Sequence, residues 1–380
     1  MYPKVKPALA RAWRDLHTVQ FGVTPAHAVV LGPVDTATGT LIDRIDGTRR
    51  MELLRAEASG MGLPEGRADE VVRRLAGAGL LDDATAGGPR AQAVRKRPET
   101  LERLGPDLGS LSLVHREPGG DLRGIAARRA IRVQVRGSGR VGALIASVLA
   151  GAGVGGVEVL DGGRVEPGDV APGGLGPGSV GRLRAEAAGG LVRESAPGRA
   201  PRAGEGAGPE PGLALVVVAP RDGLHAWAPD PDTAADWVTT GIPHLYAGVL
   251  EGTGLVGPLV LPGATACAGC MERDRVDQDP AWPRMLVQWR STHRRRTGAA
   301  CDLGLSTAVA GLAAAHALSF LDGELPASTA SRWEAALPGL HWQHTALRPH
   351  SDCPCGASAG RRAALQGAGE GSGGDPPGGP

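Results

Sequence analysis

A chain of 380 residues with 41 basic and 40 acidic side chains carries a formal net charge of +1, which gives no electrostatic reason to expect nucleic acid or an anionic membrane as partner. Hydrophobic residues make up 42%, enough to bury a core, so the 60 glycines and 31 prolines are not read as global disorder. No apolar run reaches the roughly 18 residues of a membrane span, and Met1-Tyr2-Pro3-Lys4 leads into no signal-peptide core, so a cytoplasmic protein of two domains plus tails is expected.

Residues 1–85 read as a small separate domain. Two short strands, Val19 to Val23 and Ala28 to Leu31, flank Thr24-Pro25-Ala26-His27 as a hairpin. Three short helices follow. The first carries Leu41, Ile42 and Ile45 and stops at Asp46-Gly47; the second starts after Thr48 as N-cap and buries Met51, Leu53 and Leu54; the third presents Val71, Val72 and Leu75 before Gly79. A hairpin with three helices is the winged-helix pattern. In its third helix Arg67, Arg73 and Arg74 are balanced by Asp69 and Glu70, so a peptide or protein partner fits at least as well as DNA. A domain that merely packs on its neighbour is the plain alternative. Residues 86–124 read as a connector, with the basic run Arg90 to Arg97 as a solvated face. Leu122 to Ala130 is expected to be a helix leading into a central sheet.

The stretch Ile131 to Asp161 organises the rest of the chain. An alternating run, Ile131, Val133 and Val135, runs into Gly137-Ser138-Gly139-Arg140-Val141-Gly142, the G-x-G-x-x-G spacing that opens a helix. That helix carries Leu144, Ile145, Val148 and Leu149. A second strand, Val157 to Leu160, then ends on Asp161, about twenty residues past the glycines, as a ribose-binding acid should. Glycines let the backbone approach a phosphate, and the helix N-terminus supplies free N–H groups. Gly137, Gly139, Gly142 and Asp161 are therefore candidate nucleotide-binding residues, although close helix–strand packing also demands small residues at such a turn. NAD would suit the same motif, but no hydride-transfer constellation accompanies it.

A helix is expected near Val180 to Val192, a mobile low-complexity loop at 196–212, and buried strands at Leu213 to Val218 and Pro243 to Val249. Gly254 to Leu261 reads as the return of a hairpin, Ser306 to Leu321 as a core helix, and 357–380 as a disordered tail. Alternating strands and helices imply an α/β fold with a mainly parallel, Rossmann-like sheet covered on both faces.

Four of the five cysteines form two knuckles, Cys267-Ala-Gly-Cys270 and Cys353-Pro-Cys355. Two such pairs supply four thiolates for a tetrahedral structural zinc, and His350 stands close enough to replace one ligand. Cys301, at the start of the Ala-rich helix, is read as a small buried residue rather than a nucleophile.

Together, the glycine motif, the acid that ends the second strand and the two knuckles resemble the E1-like superfamily of ThiF, MoeB and HesA over about residues 125–356. Val165-Glu166, Gly181-Arg182-Leu183-Arg184-Ala185 and Gly241-Ile242-Pro243 add to the likeness. The N-terminal unit and the closing His350-Ser-Asp-Cys353-Pro-Cys355 look more like the E1-like component of thiazole/oxazole peptide cyclodehydratases. That resemblance implies ATP and magnesium chemistry on a C-terminal carboxylate, a precursor leader peptide or carrier protein as partner, a separate YcaO-type enzyme, and frequent homodimers. By the same likeness Asp161 would hold the ribose. Gly163 stands where a further acid is expected, Asp169 where an asparagine is, and Ala171-Pro172-Gly173 where an Arg-Gln pair is. Arg184 replaces a lysine. Arg221 replaces the metal-binding aspartate, with Asp222 one residue away. Arg184 and Asp222 are thus the candidate catalytic residues, and weak or absent adenylation is expected.

Overall fold

The computed structural model describes residues 1–198, 212–293 and 300–358, and the chain divides into two compact units, Met1–Arg129 and the remainder from Ala130. The expectations for the loop 196–212 and the tail 357–380 fall mainly on 199–211 and 359–380, which lie outside the described residues.

The first unit contains β1 (Pro3–Val5), β2 (Arg11–Asp15), β3 (Thr18–Phe21), β4 (Val29–Leu31), α1 (Thr36–Arg44), α2 (Met51–Gly60), α3 (Arg67–Gly77) and β5 (Leu81–Asp83). β2, β3 and β4 form an antiparallel sheet and β1 pairs with β5. The expected hairpin is thus β3–β4, with β2 as a further strand. Alternation along β3 turns Val19 and Phe21 inward onto Leu41, Ile42, Ile45, Leu54, Val71 and Leu75. Asp35 caps α1, accepting from Thr38 N at 2.7 Å.

Thr48 does not cap α2. Its amide and hydroxyl both go to Asp46 Oδ1, at 2.9 and 2.6 Å, and Arg50 takes the cap position. Consequently Leu54 and Ala58 face the core, while Leu53 is half exposed.

Where the sequence reads as a connector, the chain forms α4 (Gly88–Arg95), α5 (Pro98–Arg103), α6 (Gly105–Val114) and α7 (Gly120–Arg128). Pro89, Pro98 and Pro106 start three of them at N1 or N2, where the missing N–H is not needed. Ala91, Val94, Leu104, Leu111, Leu122 and Ile125 bury a small core of their own. Lys6, next to β1, donates its ammonium to the carbonyls of Ser112, His115 and Arg116 at 2.6, 3.1 and 3.4 Å. A cation is thereby placed on the negative end of α6.

The second unit runs β6 (Arg132–Arg136), α8 (Arg140–Gly151), β7 (Gly156–Leu160), α9 (Arg184–Ser195), β8 (Leu213–Val218), α10 (Leu224–Trp227), α11 (Pro231–Thr240), β9 (His244–Leu250), β10 (Thr253–Val260), α12 (Ala268–Gln278), α13 (Trp282–His293), α14 (Leu303–Leu321), β11 (Ser331–Ala336) and β12 (Gln343–Ala346). Its sheet has the order β12-β11-β10-β9-β8-β6-β7. The strands β7, β6, β8 and β9 are parallel, and β10, β11 and β12 continue antiparallel. It is an α/β fold with a mixed, largely parallel central sheet.

One face of the sheet, with Val133, Val135, Leu215, Val217, Leu245 and Ala247, is buried with α8 and α14 in the main core. By length and composition alone α14 is long and apolar enough to cross a membrane, which corrects the reading that no stretch is. In this fold Leu305, Val309, Ala310, Ala313, Ala314 and Ala317 are buried against the sheet, and its small residues let helix and strands approach closely.

Ile125 is fully buried within the α4–α7 core. Replacing it by Ala is expected to lower the stability of the first unit by about 2–5 kcal/mol in urea denaturation; a change near zero would show that these helices add nothing to its stability.

Candidate nucleotide crevice and cysteine cluster

In strand order β6 is flanked by β7 on one side and β8 on the other, so the chain reverses direction around it. The carboxyl ends of β6 and β8 are thus the place where such folds take ligands. The glycines that line it have different reasons to be glycine. Gly137 has φ +107°, and a Cβ there would lie 2.1 Å from Ala219 O. A Cβ on Gly142 would lie 2.1 Å from Gly137 O. The first is demanded by the passage of the β6–α8 turn beside the end of β8, the second by the tightness of the turn itself. Gly139 is the N-cap of α8 and carries no side-chain cap.

Asp161 follows β7 and faces this turn. Ser138 donates its backbone N–H and its hydroxyl to Asp161 Oδ2 at 2.7 and 2.9 Å, while Arg184 Nε donates to Oδ1 at 3.0 Å. Arg184 also donates to Arg164 O at 2.8 Å and to Gly162 O, and it stands 3.9 Å from Asp169. The expected helix near Val180 starts at Arg184, whose side chain is held by carbonyls of the segment after β7.

Arg221, in the turn after β8, lies over Gly139: a Cβ built on that glycine would meet Arg221 Cγ at 3.1 Å. Its guanidinium donates to Asp169 Oδ1 and Glu166 Oε2. Burial alone would lower its pKa, but these two carboxylates outweigh that and hold it above the ordinary arginine value. Asp169 is 3% exposed and its other oxygen accepts Glu166 N at 2.8 Å, closing a capping box on the turn Pro167–Asp169. Arg140 does not cap its own helix; it donates to Gly168 O at 2.8 Å and Cys301 O at 2.7 Å.

Gly137, Gly139, Gly142, Asp161 and Arg184 are thus gathered in one place. Asp222 turns toward His225, 3.3 Å away, while its neighbour Arg221 enters the crevice. Sequence reasoning missed the part of Ser138 and the pairing of Arg221 with Glu166 and Asp169. The two acids were visible as a pair three residues apart, but nothing local pointed them at Arg221.

The knuckles close on each other. Cys267 caps α12, Cys270 lies in its first turn, and the segment after β12 brings in Cys353 and Cys355. The Sγ atoms all lie within 4.8 Å of one another, with neighbouring pairs at 3.8, 3.6 and 3.5 Å. Tetrahedral zinc with Zn–S bonds of about 2.3 Å needs sulfurs about 3.8 Å apart, and a disulfide needs about 2.05 Å, so the donor set fits a structural zinc. Without a cation the thiols titrate against each other. The bond from Cys267 holds Cys270 down, Cys267 itself is pushed up, and burial raises Cys355. Only a dication lets all four be thiolates together.

His350 is not a ligand: Nε2 meets Asp277 Oδ2 at 2.9 Å and Nδ1 accepts Asp352 N at 3.1 Å, which shapes the loop that carries the second knuckle. Cys301 packs against the core and burial raises its pKa, as a small apolar residue would. One zinc per chain is expected by plasma mass spectrometry; Cys270→Ser should lose it and lower the melting temperature.

The ThiF family model matches residues 121–355. No curated protein matches the chain by sequence. Among solved structures, E. coli MccB with MccA-N7isoASN aligns at a TM-score of 0.65 and 14% identity, covering 93% of this chain and 99% of MccB. E. coli MccB with ATP gives 0.63 at 15% identity and the same coverage, and PaaA gives 0.66 at 16% identity over 90% of this chain and 99% of its own. At these identities the superpositions establish the fold, through both units. The matched span takes in the glycine turn, Asp161, Arg184 and all four clustered cysteines, and it is more than half of the sequence: the chain belongs to the ThiF family.

Proposed function

We propose that this ThiF-family protein is an E1-like, peptide-binding component of ribosomal peptide modification, in which the first unit recognises a leader or carrier segment, the zinc-clipped second unit docks a YcaO-type partner enzyme, and adenylation is weakened or lost. The peptide part draws on the likeness to MccB, a microcin C7 biosynthetic enzyme solved in complex with N-formylated MccA, which extends through the first unit. The observation that carries the loss of adenylation is Arg221, lying over Gly139 and bonded to Glu166 and Asp169.

A triphosphate needs the free N–H groups at the start of α8 and a metal ion beside them. Here a side chain covers the N-cap glycine where the family's aspartate would bind magnesium, and Arg184 is already committed to Asp161. Each missing electrostatic contribution of this kind typically raises a barrier by ~3 kcal/mol.

An active adenylyltransferase acting on a C-terminal carboxylate is the second reading. It is favoured by Asp161 and Arg184 sharing the crevice and by Asp222, one residue from the latch and partly exposed. Were ATP and magnesium bound, ATP would supply the adenylyl group and magnesium would offset the charge of the departing pyrophosphate, with Asp161 toward the ribose and Arg184 toward the phosphates.

Two measurements separate the readings. Isothermal titration with ATP and magnesium is expected to give no saturable heat for the wild type or for Asp161→Ala, and ATP–pyrophosphate exchange to stay at background with precursor peptide present. Tight binding abolished by Asp161→Ala, with exchange at ordinary enzyme rates, would establish the second reading. For the peptide part, fluorescence polarisation of full-length protein with precursor peptides encoded nearby should saturate, and no binding to any of them would defeat it.

A further inference from the structure

On the sheet face away from α8 and α14, three arginines converge on two consecutive carbonyls. Arg275 of α12 and Arg332 of β11 each donate to Trp227 O at 2.9 Å, and Arg290 of α13 reaches Ala228 O at 3.4 Å. Two guanidinium groups that share one acceptor oxygen are necessarily neighbours. The Trp227 ring stacks with both of them, 5.3 Å from Arg275 and 5.1 Å from Arg332, and Arg275 also lies 4.5 Å from the Trp282 ring.

The positive charge here exceeds what faces it. Arg332 is 5% exposed, and its closest carboxylate oxygen among the ion pairs of the described residues is that of Glu334, at 3.9 Å. Glu334, and then Asp274, act on Arg275 only through space, so two carboxylates face three guanidinium groups. Among the described residues no acceptor meets the buried Nε–H of Arg332 or the buried Nε–H of Arg290. Arginine cannot shed its proton to relieve this. Burial, and then the neighbouring Arg332, brings Arg275 down only to about 10, so it too stays charged at neutral pH. Stacking on tryptophan, two carbonyl dipoles and a weak contact of Arg332 with Met271 Sδ at 3.5 Å offset part of the cost of burying Arg332 and half-burying Arg275 and Arg290, but they leave forked donors unused. The group that fits is an anion with two coplanar acceptor oxygens. The wall beside it is apolar: Leu224, Ala228 and Leu286 are buried there, with Leu250, Trp227 and Trp282 packed around them.

We propose that Arg275, Arg290 and Arg332 form a binding site for a carboxylate borne on an apolar group, the carboxylate taking the free guanidinium N–H donors and the apolar part lying against Trp282 and Leu286. Such a ligand comes from two sources, a small free carboxylic acid or the C-terminal residue of a peptide.

Full-length protein is titrated with N-acetyl-leucine, with N-acetyl-leucinamide, with a hexapeptide ending in leucine as free acid or amide, and with inorganic phosphate, following tryptophan emission and melting temperature. Three of the seven tryptophans, Trp227, Trp282 and Trp289, surround or adjoin the site. The free acids should bind saturably and raise the melting temperature, and the amides and phosphate should not. Tighter binding of the hexapeptide acid than of N-acetyl-leucine assigns the ligand to a chain terminus, and the reverse to a small acid. Arg290→Gln should weaken binding roughly tenfold or more without lowering the melting temperature of the ligand-free protein, and Arg290→Lys should recover part of it. Equal response to acid and amide, an equal response to phosphate, or no response to either acid overturns the proposal. So does Arg290→Gln that loses stability while binding is unchanged, since the arginines would then be clamps for α13.

Discussion

The second unit depends on a lack of room. The turn after β6 passes so close to the end of β8, and folds so tightly on itself, that a Cβ at Gly137 would fall 2.1 Å from Ala219 O and one at Gly142 2.1 Å from Gly137 O. Interiors pack at crystal-like density and do not yield by that much. Accepting glycine at both points fixes the start of α8 beside the turn after β8, and everything else in the crevice depends on that placement. Ser138 is delivered to Asp161, and Arg221 arrives over Gly139.

Once the backbone is fixed, the charges arrange themselves by elementary rules. Asp161 and Asp169 are largely removed from water, and buried carboxylates need donors. Asp161 receives a backbone N–H, a hydroxyl and Arg184, and Asp169 receives Glu166 N and Arg221. Removing one partner of such a buried pair typically costs about 3–5 kcal/mol, because the other is left uncompensated. Arg184 and Arg221 are therefore structural members of a closed network, and a nucleotide would have to compete with internal carboxylates for them.

Two other devices tie distant segments together without much apolar area. Lys6 bonds three carbonyls more than a hundred residues away in sequence, joining the first strand to the end of α6. The four thiols join the start of α12 to the segment after β12. Both solve the same problem: short helices and an exposed edge strand bury too little on their own to hold a chain that is rich in glycine and proline.

Much of this was legible in the sequence. The glycine spacing, the strand on either side, Asp161 and the cysteine pairs are local signals, because turn sterics and chelation act between residues a few positions apart. The helices α4 to α6 were not legible, since each buries at most two residues along its length and shows no apolar stripe. Thr48 misled for a related reason, a hydroxyl that suits a cap being claimed first by Asp46. The sequence by itself determined the ThiF-like frame and the thiol set. Only the tertiary structure decided that Arg221 would close over Gly139, and that Arg275, Arg290 and Arg332 would meet at Trp227. Those partners lie 52 and 55 residues from Arg221, and 48 and 105 residues separate Trp227 from two of its arginines. Coulomb and hydrogen-bond forces act over distances in space, and sequence separation says nothing of these until the sheet has formed.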